Sequence, residues 1–315
     1  MNNTNKPNFY MVCGMPGCGK SYWAETHKDA LNAVIHSSDS IRGELSGDEN
    51  DQSKNELVFK ILHQRIKDDL RAGKNVIYDA TSLNRKRRIH FLKNELNGIP
   101  CEKICVLFAT PYEICLANNF TRERQVPEEV MVRMYKGFET PTILEGFNKI
   151  DIVWWSYENM LGFEYDICAD IEKWKNISHD NPHHSFSIGN HMIEACDYIK
   201  SKTNDTRLIT AALLHDCGKP ETKAFVDSKG NPTDIAHYYE HHNISSFKCL
   251  FYIRRMHPEW NDKDILYVSL LINLHMRHHL SYKQSEKAKE KDRRLFGDKV
   301  IQDLELLYEA DLAGH

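Results

Sequence analysis

Residues Gly14–Ser21 read GMPGCGKS, a complete GxxxxGK[ST] pattern. A short apolar, strand-like segment, Phe9–Cys13, comes directly before it, and a helical pattern over residues 20–30 follows. In such a strand–loop–helix unit, backbone N–H groups and the positive end of the helix bind phosphate. A plain glycine-rich turn would not need the Lys-Ser pair in register, so we interpret this stretch as a phosphate-binding loop.

The loop predicts an ATP site. Lys20 is expected to neutralise the β- and γ-phosphates, and Ser21 to hold Mg²⁺. The residues predicted to surround the nucleotide are Gly14, Pro16, Gly17, Cys18, Gly19, Lys20, Ser21 and Tyr22.

Short apolar runs alternate with longer amphipathic stretches through the first half. The predicted strands are Phe9–Cys13, Ala33–His36, Asn75–Tyr78 and Lys103–Ala109, with Lys149–Trp155 as a candidate edge strand. Helical patterns cover residues 20–30, 50–71, 84–96, 111–120 and 127–137. This alternation predicts an α/β domain, with a parallel sheet and flanking helices.

Charged side chains follow two of these strands. Asp39 and Arg42 come after the second strand, and Asp79 ends the third. Ligands of open α/β sheets bind at the carboxyl ends of the strands. A carboxylate there can accept the proton of an attacking hydroxyl, and an arginine can bind a phosphate of the acceptor. Alternatively, Asp39 only caps the next helix.

Two further segments of the first half are basic. The run Arg85–Arg88 is either a solvated helix face or a track for a nucleic-acid backbone. Arg122 and Arg124 stand just before a helix that begins at a proline. On a lid, such arginines can close over a triphosphate and stabilise the charge that develops on the leaving phosphoryl group.

The character of the chain changes after an irregular stretch at residues 160–180, so we predict domains at 1–160 and 161–315. Thirteen of the 17 histidines lie beyond residue 178. Helical patterns cover residues 185–200, 207–219, 238–255, 263–279 and 299–314, with a turn cluster at Asp227–Asp234. The second domain is therefore predicted to be all-α.

Several histidines and aspartates of this domain lie on apolar helix stripes. His191, the adjacent pair His215-Asp216, His275 and Asp311 follow buried-type residues at helical spacing. Any one of them could be a hydrogen-bonded core residue. Together they predict a mixed nitrogen and oxygen site for Mn, Fe, Co, Ni or Mg. A metal there would lower the pKa of a bound water and polarise a phosphoryl oxygen.

Composition limits the setting. The net charge is −4, with 21 basic and 19 acidic residues up to residue 150 and 20 against 26 after it, so any polynucleotide must bind a local basic surface. No apolar run approaches the roughly 18 residues of a membrane span. Nine cysteines without paired spacing and a polar N-terminus indicate reduced thiols in the cytoplasm. Cys101 and Cys105 are interpreted as buried strand residues rather than metal ligands.

Residues 8–140 resemble the kinase domain of phage polynucleotide 5′-hydroxyl kinase, through GMPGCGKSYWA, SSDSIR, YDATSLNRKRR and NNFTRERQVPEEVMVRMYK. The resemblance implies that Lys20 and Ser21 are the loop pair and that Asp39 is the general base. Arg42 and Asp79 would lie on the acceptor side. Arg122 matches the lid arginine best, and the register near Arg124 differs by one residue.

Residues 180–315 resemble the HD phosphohydrolase superfamily, in particular the HD domain of bacterial CCA-adding tRNA nucleotidyltransferases. NPHHSFSIGNHMIEA, AALLHDCGKP, HYYEHHNIS and LELLYEADLAG carry the resemblance. It implies four metal ligands and a lysine that touches a substrate phosphate: His191, His215, Asp216 and Asp311, with Lys219. His241 and His275 match either the extra histidines of two-metal members or phosphate-binding residues of one-metal members.

Some assignments stay open at this point. His184 competes with His191, and His242 with His241, while His278 and His279 are expected to face solvent. Three functions fit the two domains. The first heals RNA ends, with a 5′-hydroxyl kinase and a hydrolase of 2′,3′-cyclic or terminal phosphates; it would need a separate RNA ligase, because no KxDG motif is present. The second is a small-molecule or nucleoside kinase joined to a nucleotidase. The third is a non-catalytic nucleotide switch. The polynucleotide is either RNA or DNA, and the HD site holds one or two metal ions.

Overall fold

The computed structural model describes residues 6–49, 51, 53–155, 165–182 and 185–314. It divides into two compact units. The first comprises Met1–Met134 and Pro141–Trp155, and the second comprises Tyr135–Thr140 and Ser156–His315. The predicted boundary between residues 160 and 161 lies outside the described residues.

The first unit is built on a parallel sheet of five strands, in the order β2-β3-β1-β4-β5. The strands are β1 Asn8–Cys13, β2 Ala33–Ser37, β3 Asn75–Asp79, β4 Glu102–Ala109 and β5 Lys149–Trp154. Helices cover both faces of such a sheet, so its central strands are mainly apolar, and after their first one or two residues β1 and β4 are buried. The predicted α/β class and edge strand are confirmed.

The helices of this unit follow the strands. They are α1 Lys20–His27, α2 Ser38–Ser46, α3 Asn55–Arg71, α4 Arg85–His90, α5 Tyr112–Phe120 and α6 Glu128–Lys136, with a π-helical turn at Phe91–Glu95 after α4. Helix α2 is absent from the sequence prediction. Its N-cap is Ser37, whose hydroxyl accepts a hydrogen bond from the backbone N–H of Asp39. Asp39 is therefore not the capping residue, and its carboxylate is available for other contacts.

The second unit is helical, as predicted. Its helices are α7 Ile167–Trp174, α8 Ile188–Lys202, α9 Thr206–Leu214, α10 Lys219–Thr222, α11 His241–Met256, α12 Asp262–Leu274, α13 Glu286–Phe296 and α14 Asp298–Ala313, with a π-helical turn at His278–Tyr282. Strands β6 Ala224–Val226 and β7 Pro232–His237 form a hairpin at the predicted turn cluster. Helix α7 lies within the stretch that the sequence prediction leaves irregular. Among the described residues, no helix has both the length and the apolar character to cross a bilayer.

The segment Tyr135–Thr140 packs within the second unit although, in the chain, it lies between the two parts of the first unit. The ring of Phe138 is fully buried and lies 4.9 Å from the ring of Phe247. The amide of Asn243 donates to the carbonyl of Lys136 at 2.7 Å, and the Thr140 and Ser269 hydroxyls are 2.7 Å apart. The second unit therefore includes a piece of chain from outside the predicted domain limits.

Candidate nucleotide and metal sites

The phosphate loop has a backbone that requires its glycines. The N–H of Gly14 donates to the carbonyl of Thr81 at 3.0 Å, which ties the loop to the segment after β3. Gly17 has a φ of 79°, and a Cβ there would lie 2.2 Å from the carbonyl oxygen of Cys115. A larger residue at this position would force the loop and α5 apart.

The loop brings Lys20, Ser21 and Asp79 together. Lys20 Nζ donates to the Met15 carbonyl at 3.2 Å, so it lies back across the loop. Ser21 hydrogen-bonds to the buried carboxylate of Asp79. Burial raises the pKa of Asp79, while Lys20 and Ser21 oppose that rise. The sequence interpretation places Asp79 on the acceptor side, but its contact is with Ser21, where the two side chains can hold Mg²⁺ jointly.

The carboxylate of Asp39 forms ion pairs with two arginines. Arg42 Nη1 lies 2.5 Å from Oδ1, and Arg124 Nη1 lies 2.5 Å from Oδ2. Arg42 is itself buried and donates to the Asn55 side-chain oxygen at 3.1 Å, and this second contact holds its guanidinium in place. Arg124 also approaches Glu49 at 3.6 Å. The structure thus brings Arg124 to Asp39, although the resemblance to the polynucleotide kinase family favours Arg122 as the lid residue.

Arg122 and Arg124 lie in a short loop between α5 and α6. The side-chain amide of Asn119 spans it, donating to the Val126 carbonyl at 2.8 Å and accepting from the Val126 N–H at 2.9 Å. Asn118 donates to the Gly17 carbonyl at 2.9 Å. The loop is therefore connected directly to the phosphate loop, and Arg122 is exposed on it.

Half of the basic run at the start of α4 is structural. Arg88 is fully buried and donates from Nε and Nη2 to the Glu145 carboxylate, at 2.6 and 2.8 Å. Arg85 is also buried, with Nε 3.5 Å from the same carboxylate. For these two residues the solvated face and the nucleic-acid track are both wrong. Only Lys86 and Arg87 of the run are exposed.

Four predicted metal ligands meet in the second unit. The Nε2 atom of His191 lies 3.1 Å from Asp216 Oδ2 and 3.1 Å from Asp311 Oδ1. The same atom lies 3.0 Å from Nε2 of His215. One ligand atom from each of the four buried residues falls within 4.8 Å of the others, so one ion could contact all of them.

A second cluster shares Asp216 with the first. The other carboxylate oxygen, Oδ1, lies 3.1 Å from Nε2 of His241 and 3.8 Å from Nε2 of His275. These two histidine nitrogens are 3.2 Å apart. Asp216 therefore has one oxygen toward each cluster, an arrangement that suits two adjacent cations.

Backbone carbonyls fix the protonation of all four histidine rings. The Nδ1 atoms of His191, His215, His241 and His275 contact the carbonyl oxygens of Gly314, Ala212, Tyr238 and Ile272, at 2.7–2.8 Å. A carbonyl can only accept, so Nδ1 carries a hydrogen in each ring, and Nε2 is the atom that can bind a cation once it has lost its own proton. Burial alone would lower the pKa of His215, yet the adjacent carboxylates raise it to about 10. The two buried carboxylates therefore favour positive charge between the rings, which a divalent cation would supply.

Lys219 closes one side of the first cluster. Its Nζ lies 2.7 Å from Asp216 Oδ2 and 3.3 Å from Nε2 of His179. The Nδ1–H of His179 donates to the Phe186 carbonyl, and the Tyr238 hydroxyl donates to the carbonyl of His179 itself. His179 is not among the residues predicted from the sequence. It lies in an irregular stretch, where no periodicity marks a buried side chain.

The histidine alternatives separate clearly. His241 points into the second cluster, whereas His242 lies 3.6 Å from Glu240 at the rim. His184 lies outside the described residues. His279 does not face solvent as expected, because its Nε2 contacts Asp311 Oδ2 at 2.7 Å. The ring of His278 stacks on Tyr308.

Two family models match the chain. Residues 9–141 match the AAA domain, and residues 183–311 match the HD domain. The chain joins a P-loop AAA domain to an HD domain. The AAA domain is kinase-like and contains the Lys20, Asp39 and Asp79 constellation, and the HD domain contains both His/Asp clusters.

Several solved structures show a distant likeness. A protein described as a kinase from Chloroflexus aurantiacus is 13% identical, over 50% of this chain and 90% of its own, with a TM-score of 0.42. A chain of the Pnkp1/Rnl/Hen1 RNA repair complex is 21% identical, over 43% of this chain and 45% of its own, with a TM-score of 0.37. A gluconokinase from Sinorhizobium meliloti is 16% identical, over 48% and 83%, with a TM-score of 0.34. At these TM-scores the likenesses bear on neither substrate nor partner.

Proposed function

We propose that this protein is a bifunctional enzyme that heals RNA ends. The P-loop domain phosphorylates 5′-hydroxyl ends with ATP, and the HD domain hydrolyses 2′,3′-cyclic or terminal 2′- or 3′-phosphates. The observation that carries the proposal is the presence, in one chain, of a phosphate loop beside a candidate base and of two His/Asp clusters that share Asp216. Broken RNA commonly carries a 5′-hydroxyl and a 2′,3′-cyclic phosphate, so its repair requires both chemistries.

In the P-loop domain, the residues divide the work of phosphoryl transfer. Lys20 neutralises the β- and γ-phosphates, and Ser21 and Asp79 would hold a Mg²⁺ ion, which would supply further positive charge there. Asp39 accepts the proton of the attacking 5′-hydroxyl, and Arg42 fixes the orientation of its carboxylate. Arg124 binds that same carboxylate. It must therefore release Asp39 and bind the triphosphate before Asp39 can accept a proton.

In the HD domain, the fixed rings and carboxylates would hold one or two divalent cations, of Mn, Ni, Co, Fe or Mg. A cation in such a site supplies an activated water and polarises the phosphoryl oxygen. Asp216 places one oxygen toward each cluster, and Lys219 gives the phosphate a positive contact beside them. Sealing of the healed ends is left to a separate RNA ligase, and DNA ends are a further candidate substrate.

One observation favours a second candidate, a nucleoside or small-molecule kinase joined to a nucleotidase. The burial of Arg85 and Arg88 against Glu145 removes half of the basic run that pointed to a polynucleotide. Of the basic residues that point to a polynucleotide, Lys86, Arg87 and Arg122 are exposed.

Labelled ATP separates the two candidates. The protein is incubated with 5′-hydroxyl RNA oligonucleotides and, in parallel, with nucleosides, and label transfer is measured. We expect transfer to RNA, and transfer to nucleosides alone would refute the polynucleotide kinase. A second set of reactions uses RNA with a 2′,3′-cyclic end and follows the opening of the ring to a terminal monophosphate, together with release of inorganic phosphate in a second hydrolytic step.

Single substitutions test whether the two sites are independent. Asp39→Asn should abolish label transfer and leave hydrolysis intact, and Asp216→Asn should do the reverse. Asp48→Asn, the same change at an exposed carboxylate, is the matched control. Loss of both activities in either folded variant would contradict the assignment of separate sites.

A further inference from the structure

The HD domain carries a local excess of positive charge near its metal clusters. Between Arg277 and Arg294 the sequence has seven lysines and arginines against three acidic residues, whereas the chain after residue 150 is acidic as a whole. Five of the seven basic residues lie on α13, a helix that the proposed chemistry does not use. A basic surface on an acidic domain calls for a separate explanation.

Helix α13 divides its charges between two faces. The inner face buries Asp292 and Phe296, and Lys289 pairs with Glu305 of α14 at 2.6 Å. Lys287 and Lys291 occupy the opposite face and are exposed. Within the part of the chain that the structure describes, neither of these two lysines forms an ion pair.

The exposed charges recur at helical spacing. Lys287, Lys291 and Arg294 stand at positions i, i+4 and i+7, which places them on one face of the helix. Since a helix rises about 1.5 Å per residue, this row is about 10 Å long. A mononucleotide in the metal clusters would not extend along it, but the backbone of a longer strand would.

Aromatic side chains connect the near end of the row to the first metal cluster. Lys283, four residues before Lys287, holds its Nζ 5.2 Å from the centre of the Tyr308 ring. That ring stacks on His278 at 4.6 Å and meets His279 edge-on at 4.9 Å. His279 in turn contacts the candidate ligand Asp311 at 2.7 Å.

We propose that this surface, which we call the basic path, binds single-stranded RNA and leads its 3′ end to the HD clusters. It comprises Lys283, Lys287, Lys291, Arg294, His278 and Tyr308. The lysines and the arginine bind phosphates, and the Tyr308–His278 pair offers a flat platform on which a base near the end can stack. The proposal rests on the proposed hydrolase function and names its substrate as a polynucleotide rather than a free nucleotide.

The test removes two charges that are distant from the chemistry. Lys287→Ala with Lys291→Ala is compared with the unaltered protein for binding of a fluorescent RNA that carries phosphate at both ends, over a series of salt concentrations. For single strands, log K changes with log[salt] by about −0.7 per phosphate contact, so two lost contacts should flatten the slope by about 1.4. At 0.1 M salt this corresponds to an affinity loss of about 25-fold.

Hydrolysis of a 2′,3′-cyclic mononucleotide provides the second readout. It should be unchanged in the double variant, because this substrate does not reach the path. The matched control is Lys200→Ala with Lys202→Ala, two lysines at the end of α8, which should leave the affinity for RNA and the salt slope unaltered.

The outcomes separate the path from the function on which it rests. An unchanged salt slope and affinity in the Lys287/Lys291 variant would overturn the basic path. It would also be overturned if an acidic peptide displaced RNA and the variant lost as much affinity for this peptide as for RNA. If the unaltered protein hydrolyses no cyclic phosphate but the double variant still loses affinity for RNA, the proposed hydrolase fails while the RNA path stands. If the control variant lost as much affinity for RNA as the Lys287/Lys291 variant, binding would be non-specific, and the basic path would again be overturned.

Discussion

The buried ion pair beneath the nucleotide site allows a quantitative prediction. Glu145→Gln removes the charge that compensates Arg88, although both side chains remain fully buried and well packed. Breaking a buried pair by neutralising one partner costs about 3–5 kcal/mol, since the remaining charge is left without compensation in a medium of low dielectric constant. Against a typical domain stability of about 5–15 kcal/mol, that is a large fraction.

The loss of stability should be confined to the P-loop domain, and it should also affect the residues of the kinase site. Arg88 also donates to the carbonyls of Ser82 and Leu83, in the segment that follows Asp79. Hydrogen exchange of β1 and β4 peptides under increasing denaturant would report the free energy of unfolding there, and α11 peptides would serve as the internal reference. We expect kinase activity to become heat-sensitive at moderate temperature.

A matched substitution makes this prediction refutable. Glu128→Gln changes the same group on the exposed face of α6 and should alter stability by no more than about 0.5 kcal/mol. If Glu145→Gln cost less than about 1 kcal/mol, Arg88 would have to reach solvent in the native protein. The buried assignment would then fail, and all four basic residues of α4 would again be candidates for RNA contact.

Three further predictions concern other side chains. His179→Leu should lower kcat for phosphoester hydrolysis on the order of tenfold, because Lys219 loses the acceptor beside it, and His179→Asn should recover part of the loss in steady-state kinetics. Lys86→Ala with Arg87→Ala should flatten the salt dependence of KM for an RNA acceptor by about 1.4 and leave the KM for ATP unchanged; an unaltered slope would favour a small-molecule acceptor. Burial lowers the pKa of His63 to about 4, so the unfolded chain, with a histidine pKa of about 6.5, binds the proton first, and stability should fall as pH drops from about 6.5 to about 4. A thermal midpoint that shows the same pH profile in His63→Leu would contradict this.

The sheet was predictable because its signal is local. Buried parallel strands are short apolar runs, and β1 and β4 are of this kind. The helices α2, α7 and α13 are absent from the sequence prediction for a common reason: they are short, or they bury only two or three residues.

The candidate metal sites were predictable in part. The apolar stripes before His215 and Asp311 indicate which way these side chains point, and the structure brings them together with His191 and Asp216. The sequence could not show that Asp216 divides its two oxygens between clusters, because that depends on how α9, α11 and α12 approach one another.

Other contacts were hidden by distance along the chain. The partner of Arg88 is 57 residues away, so nothing next to the basic run indicates that half of it is buried. Similarly, His279 contacts Asp311, which lies 32 residues later in the chain. A charge in sequence shows only that a partner is needed, and the fold decides whether that partner is water, RNA or another side chain.

The segment Tyr135–Thr140 limits how this protein can be dissected. A fragment that starts after residue 164 would lack the ring of Phe138, and Phe247 would lose its neighbour on that side. The amides of Asn243 and Asn273 would lose the carbonyls of Lys136 and Phe138, within two residues of His241 and His275. Supplying residues 135–140 as a separate peptide should therefore restore the solubility and thermal midpoint of such a fragment, as in a split-protein complementation experiment.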